Sequence, residues 1–400
     1  MDIKWARENI SLLDGLIHYF NNASTSLKPD CVMEHIANLC KYHNGDFLGD
    51  YQNSDFVTTQ IAGCRRLVAE LINCNDNEVI FTSNCTDSLD RLAQIVGIKE
   101  NDNVVCSIID HNANFIPWKK RGANIYLIKT LQNGTLDLKE LEDFLKNNKV
   151  KIISLPAVSN TAGNIQPFKE IVEIGHRYGV QVCIDFAQYI PHRPVDFKDT
   201  DCDFCCFSAH KIGSTCFGVL VGKKDVLEQY REERYVKNLR TFFDENGIPM
   251  KPVPSCFEFG SLQFTDIIAL SHAIDFLTLV GYDTIKTQED ILKDYFLAKH
   301  ESYGMTRLLF PVQRENYIPI FTFRFTDESI DIVKMNKILL ERFNIVLSCS
   351  SQCAQPLYRH YGEEMGLRAS FAYYNTKDEI DYFFNKLTLL KSENLKLFQN

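Results

Sequence analysis

The sequence predicts an α/β protein with a mostly parallel mixed sheet flanked by helices, followed by a smaller α+β region. Short apolar runs, typical of buried strands, alternate with amphipathic helical segments between residues 56 and 221. Because parallel strands need helical crossovers, this alternation predicts a sheet that is covered on both faces. After residue 303 the pattern changes, and residues 321–325 alternate as an antiparallel strand does.

The predicted elements follow in chain order. Residues 1–20 are expected to form a short helix and the start of a strand. Helices are predicted over residues 29–42, 56–73, 86–95, 138–147, 168–178, 266–279, 282–303, 329–343 and 378–390. Strands are predicted over residues 78–81, 103–108, 124–128, 151–155, 181–184, 205–207, 217–221, 321–325, 345–348 and 368–373. Residues 43–55 and 244–260 are rich in turn-forming residues and are predicted to be loops.

The length of the chain predicts more than one domain. At 400 residues it exceeds what one simple core accommodates. We predict a large domain over residues 22–285. Residues 1–21 and 286–400 are predicted to form a small α+β domain.

Composition narrows the class of protein. With 45% hydrophobic and 24% charged residues, the chain is not expected to be disordered. A net charge of −9 disfavours nucleic acid and anionic membranes as partners. The apolar runs are too short for a membrane span, and the N-terminus lacks the pattern of a signal peptide. The 14 irregularly spaced cysteines are therefore expected to be free thiols, which indicates a cytoplasmic protein.

Two charged residues each follow a predicted buried strand. Asp185 ends the apolar run 180–184, and Lys211 follows the run 204–207. In open α/β sheets, ligands bind at the carboxyl edge of the strands. Either residue alone could equally be a solvated surface charge.

Three further polar segments follow predicted strands at the same edge. The segment 83–87 (SNCTD) opens a predicted helix, and its backbone N–H groups suit an anion, although plain helix capping is an equally simple interpretation. His111 and Asn160 follow two other strands, where a lone histidine or an ordinary turn is the simpler explanation. Together with an acid and a lysine, these groups are the parts of a pyridoxal 5'-phosphate (PLP) site. A carboxylate can keep the pyridine nitrogen protonated, and a lysine can form an imine with the aldehyde.

The motifs around these residues resemble one family closely. Residues 185–188 (DFAQ) and 208–211 (SAHK) are similar to the pattern of the class V aminotransferase group, closest to its cysteine desulfurase and selenocysteine lyase branch. The resemblance extends over residues 22–26, 81–86, 111–114, 158–160, 257–261, 353–357 and 368–376. It implies the fold type I of PLP-dependent transferases.

The resemblance also implies a role for each site residue. The implied catalytic residues are Lys211, Cys353 and His111. The implied cofactor-binding residues are Cys85, Thr86, His111, Asn160, Asp185, Gln188, Ser208, His210, Lys211 and Ser261. The implied substrate-binding residues are Arg368 and Asn160.

Within that set, the resemblance makes Lys211 the imine lysine and Asp185 the partner of the pyridine nitrogen. Arg368 is expected to bind the substrate carboxylate, and Cys353 to take the substrate sulfur as a persulfide. Ser261 is expected to reach the phosphate of the other subunit, which implies a homodimer. The implied reaction converts L-cysteine to L-alanine, with a sulfur-acceptor protein as a further partner.

Two other functions stay open at this point. A C–S lyase, aminotransferase or epimerase of the same group would use the cofactor without Cys353. A member with a decayed site would bind no cofactor, although the retained Asp185, His111, Lys211 and Arg368 argue against it.

The chain departs from the family pattern at several places. Cys85 stands where a threonine is usual, and Asn21 stands where an aspartate is usual. The turn after Lys211 is shorter, and residues 351–352 replace frequent histidines. These differences bear on substrate choice.

No metal site is expected. Cys202 and Cys205 are three residues apart on a predicted strand, so they should face opposite ways. Cys349 and Cys353 could also form a metal or redox pair, but we favour Cys353 as a nucleophile on a loop.

Overall fold

A computed structural model describes residues 2–43, 52–231 and 252–392. The α-helices are α1 Ile3–Glu8, α2 Asp30–Tyr42, α3 Gln52–Ile72, α4 Cys85–Ile95, α5 Ile116–Lys120, α6 Leu138–Asn147, α7 Phe168–Arg177, α8 Phe197–Thr200, α9 Lys224–Gln229, α10 Phe264–Val280, α11 Tyr282–Tyr303, α12 Ile332–Phe343, α13 Gln355–His360 and α14 Lys377–Ser392. The strands are β1 His18–Tyr19, β2 Val79–Thr82, β3 Asn103–Ser107, β4 Asn124–Ile128, β5 Ile152–Pro156, β6 Gln181–Asp185, β7 Phe204–Ser208, β8 Gly218–Gly222, β9 Thr306–Leu308, β10 Ile320–Phe325, β11 Ile345–Val346, β12 Ser348–Ser350 and β13 Gly366–Ser370. Parts of the two predicted loops, residues 44–51 and 244–251, lie outside the described residues.

A seven-stranded sheet forms the centre of the molecule, in the order β2-β8-β7-β6-β5-β3-β4. The neighbours from β7 to β4 run parallel, and β8 runs antiparallel to both β7 and β2. Successive side chains of β7 enter opposite cores: Cys205 packs in one and Cys206 in the other. Because helices cover both faces, most residues of the central strands are apolar and buried. The predicted mostly parallel mixed sheet flanked by helices is confirmed.

The smaller α+β region contains a second, antiparallel sheet in the order β12-β13-β10-β9. Its core is rich in aromatic side chains, and Phe296 of α11 stacks on Phe321 of β10 with ring centroids 4.4 Å apart. Strand β1 pairs in parallel with β11, which joins the N-terminal residues to this region. The exact limits of the two predicted domains stay a prediction.

The limits of several predicted elements were wrong in detail. Helix α3 begins at Gln52 rather than at residue 56, so residues 52–55 are helical and do not belong to the predicted loop. Helix α12 begins at Ile332 rather than at residue 329, because the Asp331 side chain accepts hydrogen bonds from the N–H groups of the first turn. The predicted strand 345–348 is divided between β11 and β12. The predicted strand 368–373 lies at Gly366–Ser370, since the Asn375 side chain holds the N–H of Ala372 in a turn.

The expectation for Cys202 and Cys205 was also wrong. Strand β7 begins at Phe204, so Cys202 lies in the preceding turn and does not follow the alternation of the strand. Both thiols pack in the same core. All 14 cysteines of the chain are free thiols in the structure.

The length and hydropathy of the helices show whether any of them could span a membrane. Among the described residues, no single helix is long and apolar enough to cross a membrane. Helices α10 and α11 satisfy the length and composition criteria only as a pair, and they meet at a bend of 72°. Most of α10 is buried inside the protein.

Candidate active site

The site lies at the carboxyl edge of the central sheet, where β5, β6 and β7 end at Pro156, Asp185 and Ser208. Pro156 pairs with Asp185 in register, so the strand ends meet at one level. A cavity of about 340 Å³ opens there. It is lined by the following predicted site residues: Cys85, Thr86, His111, Asn160, Asp185, Gln188, Ser208, His210, Lys211, Cys353 and Arg368.

Asp185 is a buried carboxylate with one oxygen already bonded. Its Oδ1 accepts a hydrogen bond from the N–H of Ala187 at 2.8 Å and lies 3.6 Å from the sulfur of Cys85. Burial raises the pKa of Asp185, and the nearby charge of Lys211 opposes that shift. These two contacts hold Oδ1, so Oδ2 is left for a partner in the cavity.

Lys211 ends a short 3-10 turn that follows β7 directly. The Ser26 hydroxyl donates to the Lys211 carbonyl at 2.5 Å, which fixes the backbone. Within the described ranges, no hydrogen bond or ion pair engages the Lys211 amine. Burial lowers the pKa of Lys211, so the fraction of neutral, nucleophilic amine increases.

The short turn after Lys211 is closed by the backbone of Ala209. The Ala209 carbonyl accepts from the N–H groups of Ile212 and Ser214, and the Ala209 N–H donates to the carbonyl of Phe217. The altered turn therefore leaves the lysine on an ordered segment.

The first turn of α4 forms a candidate binding site for an anion. Asn84 caps the helix by accepting from the N–H of Asp87, as the simple capping interpretation expected. In the described part of the chain, the N–H and hydroxyl of Thr86 have no hydrogen-bond partner. The positive end of the helix dipole also favours an anion here.

Gly218 of β8 allows this helix to begin so close to the sheet. A Cβ atom at this position would lie 2.3 Å from the carbonyl carbon of Asn84. The Ser208 hydroxyl accepts from the N–H of Cys85 at 3.1 Å, which ties the helix start to the end of β7.

His111 lies on the loop after β3, which is ordered by the buried Asp110. That carboxylate accepts three hydrogen bonds from neighbouring groups in the loop. The ring Nδ1 of His111 accepts from the N–H of Ala113 at 3.1 Å, so a neutral ring carries its proton on Nε2. Burial, together with the charges of Lys211 and Arg368, lowers the pKa of His111 to about 4.

Arg368 is a buried cation in the middle of β13, with 1% of its surface exposed. One terminal nitrogen donates to the Asn160 carbonyl at 2.6 Å, and the other donates to Asn21 Oδ1 at 3.0 Å and to the Ser24 hydroxyl at 3.3 Å. Its Nε has no partner among the described residues. Burial lowers the pKa of Arg368 to about 10, so it stays charged at neutral pH. Since Asn21 is neutral, this charge is left for an anionic ligand.

Cys353 is exposed on a tight turn between β12 and α13. The N–H of Asn112 donates to the Cys353 carbonyl at 2.8 Å. The side chain of Asn160 donates to the Gln352 carbonyl at 2.7 Å. The nucleophile candidate thus sits on a short anchored turn beside the loops that carry His111 and Asn160.

Two further predicted residues, Gln188 and His210, line the cavity, whereas Ser261 does not. Gln188 lines the cavity and donates from Nε2 to the Ala23 carbonyl at 2.7 Å. Burial lowers the pKa of His210 to about 4, so this ring is neutral at physiological pH. Ser261 is exposed and lies outside this chain's cavity, so its role toward a second subunit stays a prediction.

Sequence reasoning missed some residues that shape the site. Asn21 and Ser24 bind Arg368, whereas the sequence indicates residues 22–26 only as part of the family resemblance and Asn21 only as a departure from it. Gln352 lines the cavity beside Cys353. The density of polar residues in 21–26 was a usable signal, whereas a single Gln gave none.

Three potential metal ligands also meet under the cavity. Ligand atoms of Cys85, Asp185 and Cys206 lie within 4.8 Å of one another. Hydrogen bonds to Cys183 and Cys85 raise the pKa of Cys206 well above its usual value, so it is a neutral thiol. Metals bind the thiolate form, and the expectation of no metal site stays a prediction.

The aminotransferase class-V family matches residues 18–383 of the chain. The chain belongs to this family. A relative from Halalkalibacterium halodurans, named a probable cysteine desulfurase, is 33% identical and aligns over 91% of this chain and 90% of its own length.

Solved structures agree with this membership. The apo structure of a cysteine desulfurase from Thermococcus onnurineus has a TM-score of 0.88 and 25% identity, covering 97% of this chain and 98% of its own. A cysteine desulfurase from Escherichia coli has a TM-score of 0.86 and 25% identity, covering 98% and 99%. The protein is thus an enzyme of a PLP-dependent class with the fold type I expected from the sequence.

The donor set of the cavity fits PLP. Among the residues that the structure describes, the Lys211 amine has no partner and one oxygen of the Asp185 carboxylate is left for a pyridine nitrogen. The N–H of Thr86, which has no partner within the described ranges, lies at a helix N-terminus, and this suits a phosphate. One cavity is therefore lined by a lysine, a buried acid and a candidate phosphate-binding helix start, as this cofactor requires.

Proposed function

We propose that the enzyme is a cysteine desulfurase, which converts L-cysteine to L-alanine and keeps the sulfur on Cys353 as a persulfide. The observation that carries the proposal is that the exposed Cys353 lines the same cavity as Lys211, Asp185 and Arg368. The names of the relatives and structural neighbours support it.

The cofactor would be held by groups at the sheet edge. Asp185 would bind the pyridine nitrogen and Thr86 the phosphate, while the neutral ring of His111 would stack on the cofactor. When bound, PLP accepts the electron pair that the substrate Cα releases. The protein supplies orientation, charge and proton transfer around it.

Arg368 would bind the substrate carboxylate. Its Nε–H has no partner among the described residues, which leaves a charged N–H donor for a carboxylate oxygen. Asn160 and Asn21 hold the guanidinium through its terminal nitrogens, so it is oriented before substrate binds.

Lys211 would remove the α-proton of the substrate. Its amine lies in the cavity without a hydrogen-bonded partner among the described residues, and burial lowers its pKa. A neutral amine at Nζ can accept the proton and later return it.

Cys353 would carry out the sulfur transfer. Its thiolate attacks the substrate sulfur, an S–S bond forms, and the C–S bond breaks with its electron pair staying on carbon. Protonation of that carbon gives alanine. A second thiol nucleophile, on an acceptor protein, would then remove the terminal sulfur.

The wider setting is part of the proposal. We expect a homodimer in which Ser261 of each subunit reaches the other site, a sulfur-acceptor protein as a partner, and a location in the cytoplasm. Fourteen free thiols fit a reducing compartment. We also retain a large domain over residues 22–285, and a small one from residues 1–21 and 286–400.

The test is to incubate the PLP-loaded enzyme with cysteine and to quantify alanine and persulfide by mass spectrometry. We expect alanine with a persulfide mapped to Cys353, and at least a 100-fold lower rate in Cys353→Ala, since a nucleophile is lost (~10² or more). Cys216→Ala, which removes another exposed thiol, is the matched control. Pyruvate and ammonia, or full activity in Cys353→Ala, would contradict the proposal.

A further inference from the structure

We propose that Gln352 is a positioning residue whose buried side chain fixes the turn that presents Cys353 to the cavity. The proposal rests on the proposed function for its kinetic consequence. Its structural part concerns only whether Gln352 orders the turn. This part can therefore be tested separately from the proposed function.

The turn has an unfavourable backbone that needs support. Gln352 and Cys353 both have positive φ, at 44° and 57°. Residues other than glycine rarely adopt this left-handed conformation, because Cβ crowds the neighbouring carbonyl. Two such residues in succession persist only where surrounding contacts hold them.

The side chain of Gln352 makes hydrogen bonds that hold the turn against the small antiparallel sheet. Its Oε1 accepts a hydrogen bond from the hydroxyl of Tyr358. Its Nε2 donates to the Gly366 carbonyl at 3.2 Å and approaches the Ser348 hydroxyl at 3.5 Å. Tyr358 is itself fully buried against Phe310. The amide is therefore bonded at both ends to ordered groups of β12, β13 and α13.

The backbone of the same turn is held from the opposite side. The carbonyls of Gln352 and Cys353 accept from the Asn160 side chain and the Asn112 N–H. Both donors lie on loops of the central sheet. The side chain of Gln352 thus ties the turn to one sheet, while its backbone is tied to the other.

This arrangement assigns Gln352 a kinetic role. Attack on the substrate sulfur requires the Cys353 thiolate close to that sulfur and aligned with the C–S bond. The Gln352 side chain makes no hydrogen bond to Arg368 among the described residues. Asn160, which binds Arg368, contacts Gln352 only at the backbone carbonyl, and this contact is kept when the Gln352 side chain is changed. Loosening the turn should therefore slow sulfur transfer and leave substrate affinity unchanged.

The kinetic test compares variants in a single turnover of the PLP-loaded enzyme with cysteine. Gln352→Met keeps the length of the side chain and removes its hydrogen bonds. We expect persulfide formation on Cys353 to slow about tenfold, with KM unchanged, since more than one hydrogen bond is lost. Tyr358→Phe removes the hydrogen bond that Tyr358 donates to Gln352 and should slow the step about threefold. Gln94→Met, the same change at an exposed glutamine of α4, is the control and should match the wild type.

The two variants should not act independently. Both remove the same contact between Tyr358 and Gln352, so the double variant should be no slower than Gln352→Met. Fully multiplied effects would contradict the proposal, as would an increase in KM that accounts for the whole loss in Gln352→Met.

A second readout does not depend on the reaction. A nitroxide spin label is attached to Cys353 in a Cys40→Ser/Cys216→Ser background, which removes the other exposed thiols. The spectrum of the same background with Cys353→Ser is subtracted. We expect an immobilised label with Gln352 present and in the Gln94→Met control. In Gln352→Met we expect about threefold faster label motion, because the side-chain contacts are lost.

Equal label motion in Gln352→Met and wild type would overturn the proposal whatever the kinetics. If the enzyme forms no persulfide at all, the proposed function fails, and the label still decides whether Gln352 orders the turn.

Discussion

The cofactor end and the nucleophile end of the cavity are built in different ways. Asp185 and Lys211 lie at or just after the ends of adjacent central strands, where the ladder of the sheet sets their positions. Cys353 lies on a turn of left-handed residues, held by individual hydrogen bonds from two sheets. The positions of the cofactor-binding residues are set by the whole sheet, whereas the position of Cys353 depends on a few individual contacts.

This contrast indicates where variation is tolerated. Changes near the cofactor end, such as Cys85 in place of threonine, leave the strand ends in register. A change at the nucleophile end alters the contacts on which the turn depends. We therefore expect cofactor chemistry to be robust, and the sulfur-transfer step to be sensitive to neighbours of Cys353.

The largest expected effect tests the cofactor end. Lys211→Ala should reduce alanine formation by about 10³-fold or more, because the group that moves the α-proton is lost. The measurement is alanine production from cysteine. The exposed Lys224→Ala should behave as wild type. If Lys211→Ala still formed alanine at the wild-type rate, Lys211 would not be the group that moves the α-proton.

Stability at low pH tests the burial of the two site histidines. His111 and His210 have a pKa of about 4 when folded, against about 6.5 when unfolded. Between these values the unfolded chain binds more protons, so the free energy of unfolding falls as pH decreases from about 6.5 to about 4. Each histidine contributes on the order of 3 kcal/mol to that loss.

Urea unfolding at a series of pH values measures this dependence. His111→Gln and His210→Gln should each flatten the slope between about pH 6.5 and 4, since glutamine does not titrate. An unchanged slope in both variants would mean that these rings are not held neutral by burial.

Arg368→Lys tests the substrate side of the cavity. A lysine keeps the charge but loses the planar fork and the Nε–H, so KM for cysteine should rise about 10- to 100-fold. Steady-state kinetics measure the change, with the exposed Arg314→Lys as control. An unaltered KM would place the substrate carboxylate elsewhere.

The smallest effect is expected at Cys85. Cys85→Thr restores a hydroxyl near Asp185, where the present sulfur lies at 3.6 Å from Oδ1. The Ala187 N–H still holds that oxygen, so kcat should change by less than about threefold, within the range of one weak hydrogen bond. The absorption spectrum of the bound cofactor across pH provides an independent measure. A larger change would show that the cofactor end is less robust than the comparison implies.

The fold and the cofactor end could be predicted because their signals are local. A buried strand that ends in Asp185 or precedes Lys211 can be recognised from its apolar run, and parallel strands bring such ends to one edge. The same logic failed for Cys202, because the strand begins two positions later than an alternation argument assumes.

The details around Arg368 were beyond such reasoning. Motif similarity indicated a carboxylate-binding role, but not that Asn21 and Ser24 would bind one terminal nitrogen and leave Nε without a partner among the described residues. Those contacts join residues that are far apart in the chain, and no periodic pattern connects them.

The sequence by itself determined the alternation of strands and helices, the residue types at the strand ends and the family to which the chain belongs. Only the tertiary structure decided how Cys353 is presented. Hydrophobic periodicity reports on burial within one element. The left-handed turn at Gln352 and Cys353 exists because Tyr358, Asn160 and Asn112 approach it from separate elements.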